Sequence, residues 1–128
     1  MNSADALEML DSQLADHADD PNAELQRFPP GAATVPIATA LVRAFVRLYK
    51  PSELTPMIIQ GDSKVILSPS DLVAQGWPGP AGDSAGLDPL VPRRGDKIVV
   101  HGRPRQVIAA TPVYLGDQMV RLEMQIRG

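Results

Sequence analysis

The sequence predicts a mainly β fold: a small antiparallel β-barrel of about six strands with one short helix and an N-terminal helical arm. Three observations carry this prediction. Apolar and polar side chains alternate from Val120 to Ile126, a period of two that places the apolar side chains on one face of a strand. The same period runs through residues 42–48. Turns containing Gly or Pro separate these segments from other runs rich in Val and Ile.

Length and composition limit the classes of protein to be considered. A chain of 128 residues is a usual size for one domain. Aromatic residues make up only 4%, so the core must be mainly aliphatic. The absence of cysteine excludes disulfides and thiol chemistry and is compatible with a reducing compartment. Because the sequence has neither an apolar run long enough to span a membrane nor a signal pattern, we expect a soluble, unexported protein without a membrane partner.

Charge is unevenly distributed along the chain. Residues 1–26 carry seven acidic side chains and no Lys or Arg, whereas residues 27–128 carry twelve basic and eight acidic side chains. The two segments therefore have charges of −7 and +4, within a net charge of −3. We expect them to meet different partners, or each other.

The N-terminal segment predicts a helix from Ser3 to about Ala18. Asp5 and Glu8 have the spacing of a capping box. A narrow apolar stripe is formed by Leu7, Leu10 and Leu14. Because an isolated helix of this length is marginal in water, it needs a surface in the same chain or on another subunit. A Phe-Pro-Pro-Gly-Ala-Ala linker follows, so we assign residues 1–33 to an acidic arm and residues 34–128 to the barrel.

The strand predicted from about Ala40 has two chemically different faces. One face is apolar and belongs to the core. The other alternates arginine with aromatic residues, namely Arg43, Phe45, Arg47 and Tyr49. Single-stranded nucleic-acid sites and protein interfaces are both rich in such side chains. The candidate subunit-interface residues are these four together with Leu7, Leu10, Leu14 and Trp77, and single-stranded nucleic-acid binding is the alternative.

The middle of the chain predicts a hairpin and then a short helix. Residues 57–60 and 64–67 resemble strands and flank a Gly-Asp-Ser turn. The helix covers Pro69 to Gln75, because Ser68 can cap it, proline suits its first position and Gly76 can end it. We expect this helix to plug one end of the barrel.

The last third of the chain predicts a three-stranded β-meander preceded by a long loop at residues 77–95. Its strands are Lys97–His101, Gln106–Ala110 and the alternating segment that begins at Val120. A loop of this length is either an element that contacts another molecule or a flexible insert. Five basic residues at the end of the loop and on the next hairpin are candidates to face a channel or DNA: Arg93, Arg94, Lys97, Arg103 and Arg105.

Patterns that indicate catalysis are few. His17 and His101 are isolated histidines without acidic residues at metal-ligand spacing. Gly-Asp-Ser-Ala-Gly at residues 82–86 resembles the serine-nucleophile turn of chymotrypsin-like proteases, but that mechanism also needs a histidine and an aspartate in a larger fold. Phosphate loops and HExxH motifs are missing from the sequence. We therefore predict no catalytic, metal-binding or cofactor-binding residues and a protein that is not an enzyme.

Three segments of the C-terminal half carry a family resemblance. They are Pro92-Arg-Arg-Gly-Asp-Lys-Ile-Val-Val-His-Gly-Arg, Val107-Ile-Ala-Ala-Thr-Pro-Val and the closing Val120-x-Leu-x-Met-Gln-Ile-Arg-Gly. A short Ser-Pro-Ser-Asp-Leu helix and a Gly-Trp-Pro sequence precede them. This order of elements resembles that of tailed-bacteriophage head-closure proteins, also called head-tail stoppers or connectors, over roughly residues 40–128.

The resemblance implies a structural virion protein of the phage neck, assembled in the bacterial host cytoplasm. Its subunits would form a homo-oligomeric ring below the portal or adaptor proteins and above the tail proteins. The ring would seal the DNA channel after packaging, with packaged DNA as a further contact, and would provide the tail attachment surface. A tail-terminator or tail-completion protein is an alternative of the same class, and an OB-like nucleic-acid-binding barrel is an alternative of another class.

Overall fold

Six antiparallel strands form a closed barrel with the strand order β1-β2-β3-β6-β5-β4. The computed structural model describes residues 2–29, 34–79 and 89–128. The strands are β1 (Asp20–Arg27), β2 (Ala38–Leu48), β3 (Ser63–Leu67), β4 (Lys97–Val100), β5 (Arg103–Leu115) and β6 (Gln118–Arg127). The helices are α1 (Ser3–His17) and α2 (Pro69–Ala74), and a single 3₁₀ turn occupies Pro51–Glu53. The predicted mainly β fold, a small antiparallel barrel with a short helix and an N-terminal helix, is confirmed.

The barrel core is aliphatic and follows the alternation of the strands. Inward side chains of β3 and β6, such as Val65, Leu67, Leu122 and Ile126, are fully buried. The predicted C-terminal meander is present, because β4 pairs with β5 and β5 pairs with β6 in antiparallel register. Closure of the barrel removes the exposed sheet edges that an open sheet of this size would have.

Strand β1 lies in the segment that the sequence analysis assigned to the arm. It pairs with β2 on one side and with β4 on the other. Its inward positions are Ala23, Leu25 and Arg27, all fully buried. Residues 57–60, by contrast, were predicted to be a strand but belong to the connection between β2 and β3. The number of strands therefore agrees with the prediction, but one member differs, and the barrel begins before residue 34.

Helix α2 closes one end of the barrel, as predicted. Leu72 and the following Trp77 are both part of the barrel core. The helix also satisfies backbone groups of β2, because the carboxylate of Asp71 accepts the N–H of Arg43 at 2.9 Å. The side chain of Gln75 accepts the N–H of Leu41 at 3.2 Å. These two side chains replace a neighbouring strand where β2 extends beyond its pairing with β3.

Helix α1 packs on the outside of the barrel against β2 and β6. Leu10 and Leu14 are buried by this packing but do not belong to the barrel core cluster. Asp11 fixes the helix further, because its carboxylate accepts hydrogen bonds from the hydroxyls of Ser68 and Ser70. The acidic arm therefore docks on its own chain, the first of the two alternatives that the sequence left open.

Candidate interaction surfaces

The first arginine of the predicted arginine-aromatic face is held inside the chain. Arg43 donates from Nη2 to Asp71 Oδ1 at 2.8 Å and from Nε to Asp71 Oδ2 at 3.1 Å. Its Nη2 also lies 3.8 Å from a carboxylate oxygen of Asp11. The hydrogen bond to Asp71 is the main reason that the pKa of Arg43 is raised above its usual value. The charge of Arg43 therefore serves to join β2, α1 and α2.

The other three residues of this face are also engaged. Arg47 donates to both carboxylate oxygens of Glu53, at 3.1 and 3.2 Å, and its guanidinium lies 5.9 Å from the centre of the Tyr49 ring. Phe45 is half-buried next to the β3 residue Ile66, with which it is paired in register. Since both arginines already have carboxylate partners, the face does not form the free cation and ring platform that single-stranded nucleic acid requires.

Three of the leucine and tryptophan candidates have no free surface for a second subunit. Leu10, Leu14 and Trp77 are buried within the chain itself. Leu7 is half-buried and lines a groove of about 590 Å³ between α1, α2 and the β5–β6 turn. The apolar stripe was correctly identified as a docking face, but its partner is the barrel. The predicted interface role of Leu10, Leu14 and Trp77 is therefore not supported, because these side chains are already covered by their own chain.

The five basic candidates do not form one patch. Lys97 is paired with Gln106, and the adjacent Ile98 is paired with Arg105, so Lys97 and Arg105 point to opposite faces of the sheet. Lys97 lies 5.2 Å from the centre of the Phe28 ring. Arg105 donates to the Ser63 hydroxyl and to the Gly61 carbonyl, both at 3.1 Å. The three remaining side chains are exposed: Arg93, Arg94 and Arg103.

Sequence reasoning missed an exposed apolar surface on the connection between β2 and β3. Its four large side chains, which we call the β2–β3 surface, are Leu48, Leu54, Met57 and Ile59. Leu48 is 71% exposed and Met57 is 70% exposed. Leu48, Leu54 and Ile59 line a shallow depression of about 430 Å³ together with Tyr49. The only hint in the sequence is a high density of apolar residues between Pro51 and Gly61.

The backbone that carries this surface is tied to β6 through a buried carboxylate. Asp62 accepts hydrogen bonds from Arg127 Nε and Nη2 at 2.8 and 2.9 Å and from Gln125 Nε2 at 2.8 Å. Gln125 Nε2 also donates to the carbonyl of Met57 at 2.7 Å, and the N–H of Ile59 donates to Asp62 at 3.1 Å. Arg127 first, and then Gln125 and Ile59, lower the pKa of Asp62 to about 2. The loop is therefore ordered before any partner binds.

The rim of the β2–β3 surface is basic. Two of its acidic groups are neutralised, because Glu53 is paired with Arg47 and Asp62 with Arg127. Lys50 on the loop and Arg105 at its edge add two further positive charges. The rim therefore carries a local charge of about +2 around an apolar centre.

The face of α1 that points away from the barrel is acidic. We call it the α1 outer face, and it includes Asp5, Glu8, Met9 and Asp16 around a shallow depression. Met9 is 48% exposed beside these carboxylates, at the edge of the groove between α1 and the β5–β6 hairpin. Within the described part of the chain, none of the three carboxylates has an ion-pair partner. The face is therefore free to meet a basic surface.

Some predictions fall outside these surfaces. Residues 80–88 of the Pro/Gly-rich loop, including the Gly-Asp-Ser-Ala-Gly segment, lie outside the described residues. Within residues 2–29, 34–79 and 89–128, His, Asp and Glu side chains do not gather in a group that could hold a metal ion. Over the same ranges, neither helix has the length and hydropathy of a membrane-spanning segment.

No family model, curated protein or solved structure matches the chain.

Proposed function

We propose that this chain is a structural subunit of a tailed-phage neck, a head-closure protein. In this proposal, copies of the chain form a ring below the portal or adaptor proteins, seal the DNA channel and present a surface to the tail. The observation that carries the proposal is the β2–β3 surface, in which the buried Asp62 carboxylate and Gln125 hold the loop that exposes Met57 beside Leu48. Such a surface is typical of a docking site.

A contact surface that is already ordered binds a partner with a smaller loss of conformational entropy. A flexible loop loses conformational entropy when it binds, and this loss weakens the complex. Here the hydrogen bonds of Asp62 and Gln125 fix the loop in the free chain. The pairing of Asp62 with Arg127 therefore holds apolar side chains in an exposed position. Because the loop is already ordered, binding a partner costs less conformational entropy. This arrangement favours a role in assembly.

The sequence resemblance suggests which kind of assembly the chain belongs to. The β4–β5–β6 meander and the short α2 helix occupy the order that the resemblance to head-closure proteins leads us to expect. A tail-terminator or tail-completion protein would also present docking surfaces on a small barrel. The experiment below separates the two by the particle to which the protein binds.

The test is addition of the purified protein to isolated portal–adaptor complexes and, separately, to isolated tails. We expect electron microscopy to show a new ring of density on the portal–adaptor complex, with light scattering giving the corresponding mass. Met57→Asp places a charge on the β2–β3 surface and is expected to weaken this addition. The matched control is Leu41→Asp, another exposed apolar side chain on the outer face of β2, which should add normally.

The outcomes have separate meanings. Binding to tails alone would favour the tail-terminator alternative. A folded protein that joins neither particle would refute the proposal. Equal behaviour of the Met57→Asp and Leu41→Asp variants would show that the β2–β3 surface is not the contact.

A further inference from the structure

We propose that the β2–β3 surface of one copy binds the α1 outer face of a second copy of this chain. This inference rests on the proposed function, in which copies stand side by side, and it names the two surfaces that meet. Both surfaces lie within the described residues, and each combines apolar side chains with a net charge, positive on the β2–β3 surface and negative on the α1 outer face.

Charge complementarity is the first argument. The rim of the β2–β3 surface carries an excess of positive charge from Lys50 and Arg105. The α1 outer face carries Asp5, Glu8 and Asp16, with no Lys or Arg anywhere in the helix. Opposite potentials attract over distances of about 8–10 Å at moderate ionic strength and set the orientation in which two surfaces meet. The acidic α1 outer face of a second copy is therefore complementary in charge to the basic rim.

The apolar centres of the two surfaces are the second argument. Met57 projects from the loop beside Leu48 at the end of β2, and Met9 projects from α1 next to the carboxylates. Methionine side chains adapt to irregular apolar surfaces, so Met9 can fill the shallow depression beside Leu54 and Ile59. Burial of these side chains supplies affinity, whereas the surrounding charges supply direction.

The position of the two surfaces requires that they belong to different copies. The N-terminal part of α1 lies at the α2 end of the barrel, where Leu7 shares a groove with Val73. The loop joins β2 and β3 at the opposite end of β3, where Leu48 pairs with Ser63. Because Leu10 and Leu14 bury the inner side of α1, its outer face is turned away from its own barrel. The two surfaces of one chain therefore cannot cover each other.

A contact between two different surfaces is heterologous, so each copy has one free surface of each kind. Repetition of such a contact produces a closed ring if the rotation closes and a filament if it does not. Either product distinguishes this contact from a symmetric dimer, in which the same patch would be used twice.

The experiment uses sedimentation velocity on the full chain over a range of concentrations and salt. We expect wild-type protein to self-associate at low salt and to dissociate progressively at high salt. The loop variant is Lys50→Glu with Met57→Asp, and the helix variant is Glu8→Gln with Met9→Gln and Asp16→Asn. Both altered surfaces then carry net negative charge, so they do not attract each other. Each is expected to weaken self-association by about 30-fold, the effect of losing a central contact. Circular dichroism checks that both variants fold.

Mixing the two variants gives the most specific outcome. The helix variant retains an intact β2–β3 surface, and the loop variant retains an intact α1 outer face. The mixture should therefore form a heterodimer and nothing larger, because the second contact at each end is blocked. The matched control is Arg94→Glu, a charge reversal of an exposed arginine outside both surfaces, which should self-associate as wild type does.

A wild-type chain that stays monomeric at every concentration would overturn this inference, as would self-association that neither variant weakens. A mixture of the two variants that remains monomeric or forms large assemblies would also overturn it. The proposed function is judged separately by addition to portal–adaptor complexes. If both variants join those complexes as rings like wild type, the inferred contact fails and the β2–β3 surface is not the contact, whereas ring addition itself still supports the neck role. If the chain self-associates through these surfaces but joins neither portal–adaptor complexes nor tails, only the proposed function fails.

Discussion

Arg27 and Asp96 form a buried two-point ion pair, with Nε 3.1 Å from Oδ1 and Nη2 3.0 Å from Oδ2. Arg27 is 0% exposed and Asp96 is 2% exposed. The guanidinium also lies 5.0 Å from the centre of the Trp77 ring, and Asp96 accepts the backbone N–H of Arg93 at 2.9 Å. One charge pair thus joins β1, the segment that follows α2 and the turn before β4.

The first prediction concerns this pair. Asp96→Ala leaves a buried guanidinium without its carboxylate, so we expect the free energy of unfolding to fall by about 3–5 kcal/mol. Arg27→Met combined with Asp96→Leu removes both charges and should cost much less than Asp96→Ala alone. Urea denaturation measures both values. Lys97→Ala, at the neighbouring position, should change stability by less than about 0.5 kcal/mol, and a loss as large as that of Asp96→Ala would contradict the argument.

Arg27 also explains why β1 was not predicted. An inward position in a strand is expected to be apolar, and arginine at such a position reads as an outward or loop residue. Its burial depends on a partner 69 residues away, which local patterns do not show. The strands with aliphatic inward residues, such as β2 and β6, were predicted because their signal is local. The same argument holds for α2, whose cap residues are adjacent in the sequence.

The second prediction concerns the acid stability of the β2–β3 surface. The folded-state pKa of Asp62 is lowered from 3.8 to about 2, so its pairing stabilises the fold above pH 4. Asp62→Asn should therefore lower the free energy of unfolding at neutral pH by about 2 kcal/mol. The difference from wild type should disappear as the pH falls from about 4 to about 2, because wild-type Asp62 becomes protonated in that window. Urea denaturation at several pH values measures this.

Glu53 is the matched control for Asp62. Arg47 first, and then the N–H of Lys50, lower the pKa of Glu53 to about 2. Its carboxylate is nevertheless open to solvent, which screens the interaction. Glu53→Gln should therefore have a much smaller effect than Asp62→Asn at every pH. Similar losses in the two variants would show that burial of the Asp62 carboxylate does not matter.

The candidate surface was less predictable than the fold. Residues 57–60 resemble a strand because three of the four are apolar, and apolar residues are expected to be covered. Their exposure results from the hydrogen bond between Asp62 and Gln125, which holds the loop against β6. These two residues are 63 positions apart in the sequence. A β-bulge in β6 also gives a residue an environment that local alternation does not predict. The register shift between Val113 and Tyr114 places Met119 in the core and leaves Val120 buried beside α1, although alternation had placed Val120 on the same face as Leu122.

The third prediction concerns the turn between β4 and β5. His101 has a positive φ of 52°, a region that costs most side chains about 1 kcal/mol but is tolerated by asparagine. His101→Asn should therefore raise the free energy of unfolding by about 0.5 kcal/mol and keep the N–H bond to Asp20. Gly102, with φ of 78°, should respond in the opposite direction, because Gly102→Ala introduces the same strain. Thermal denaturation of both variants checks the signs, and equal signs would refute the strain argument.

The fourth prediction tests whether α1 can leave the barrel without unfolding it. Leu14 is buried against the barrel, so Leu14→Ala should weaken docking of the helix by about 2–4 kcal/mol. A free helix of this length is marginal in water, so the loss should appear as faster amide exchange in α1. Exchange in β3 should be nearly unchanged, because the barrel core does not include Leu14. Met9→Ala, on the outer side of the same helix, serves as the control and should leave exchange in α1 unchanged. If Leu14→Ala accelerates exchange equally in α1 and β3, helix and barrel unfold as one unit and α1 is an integral part of the domain.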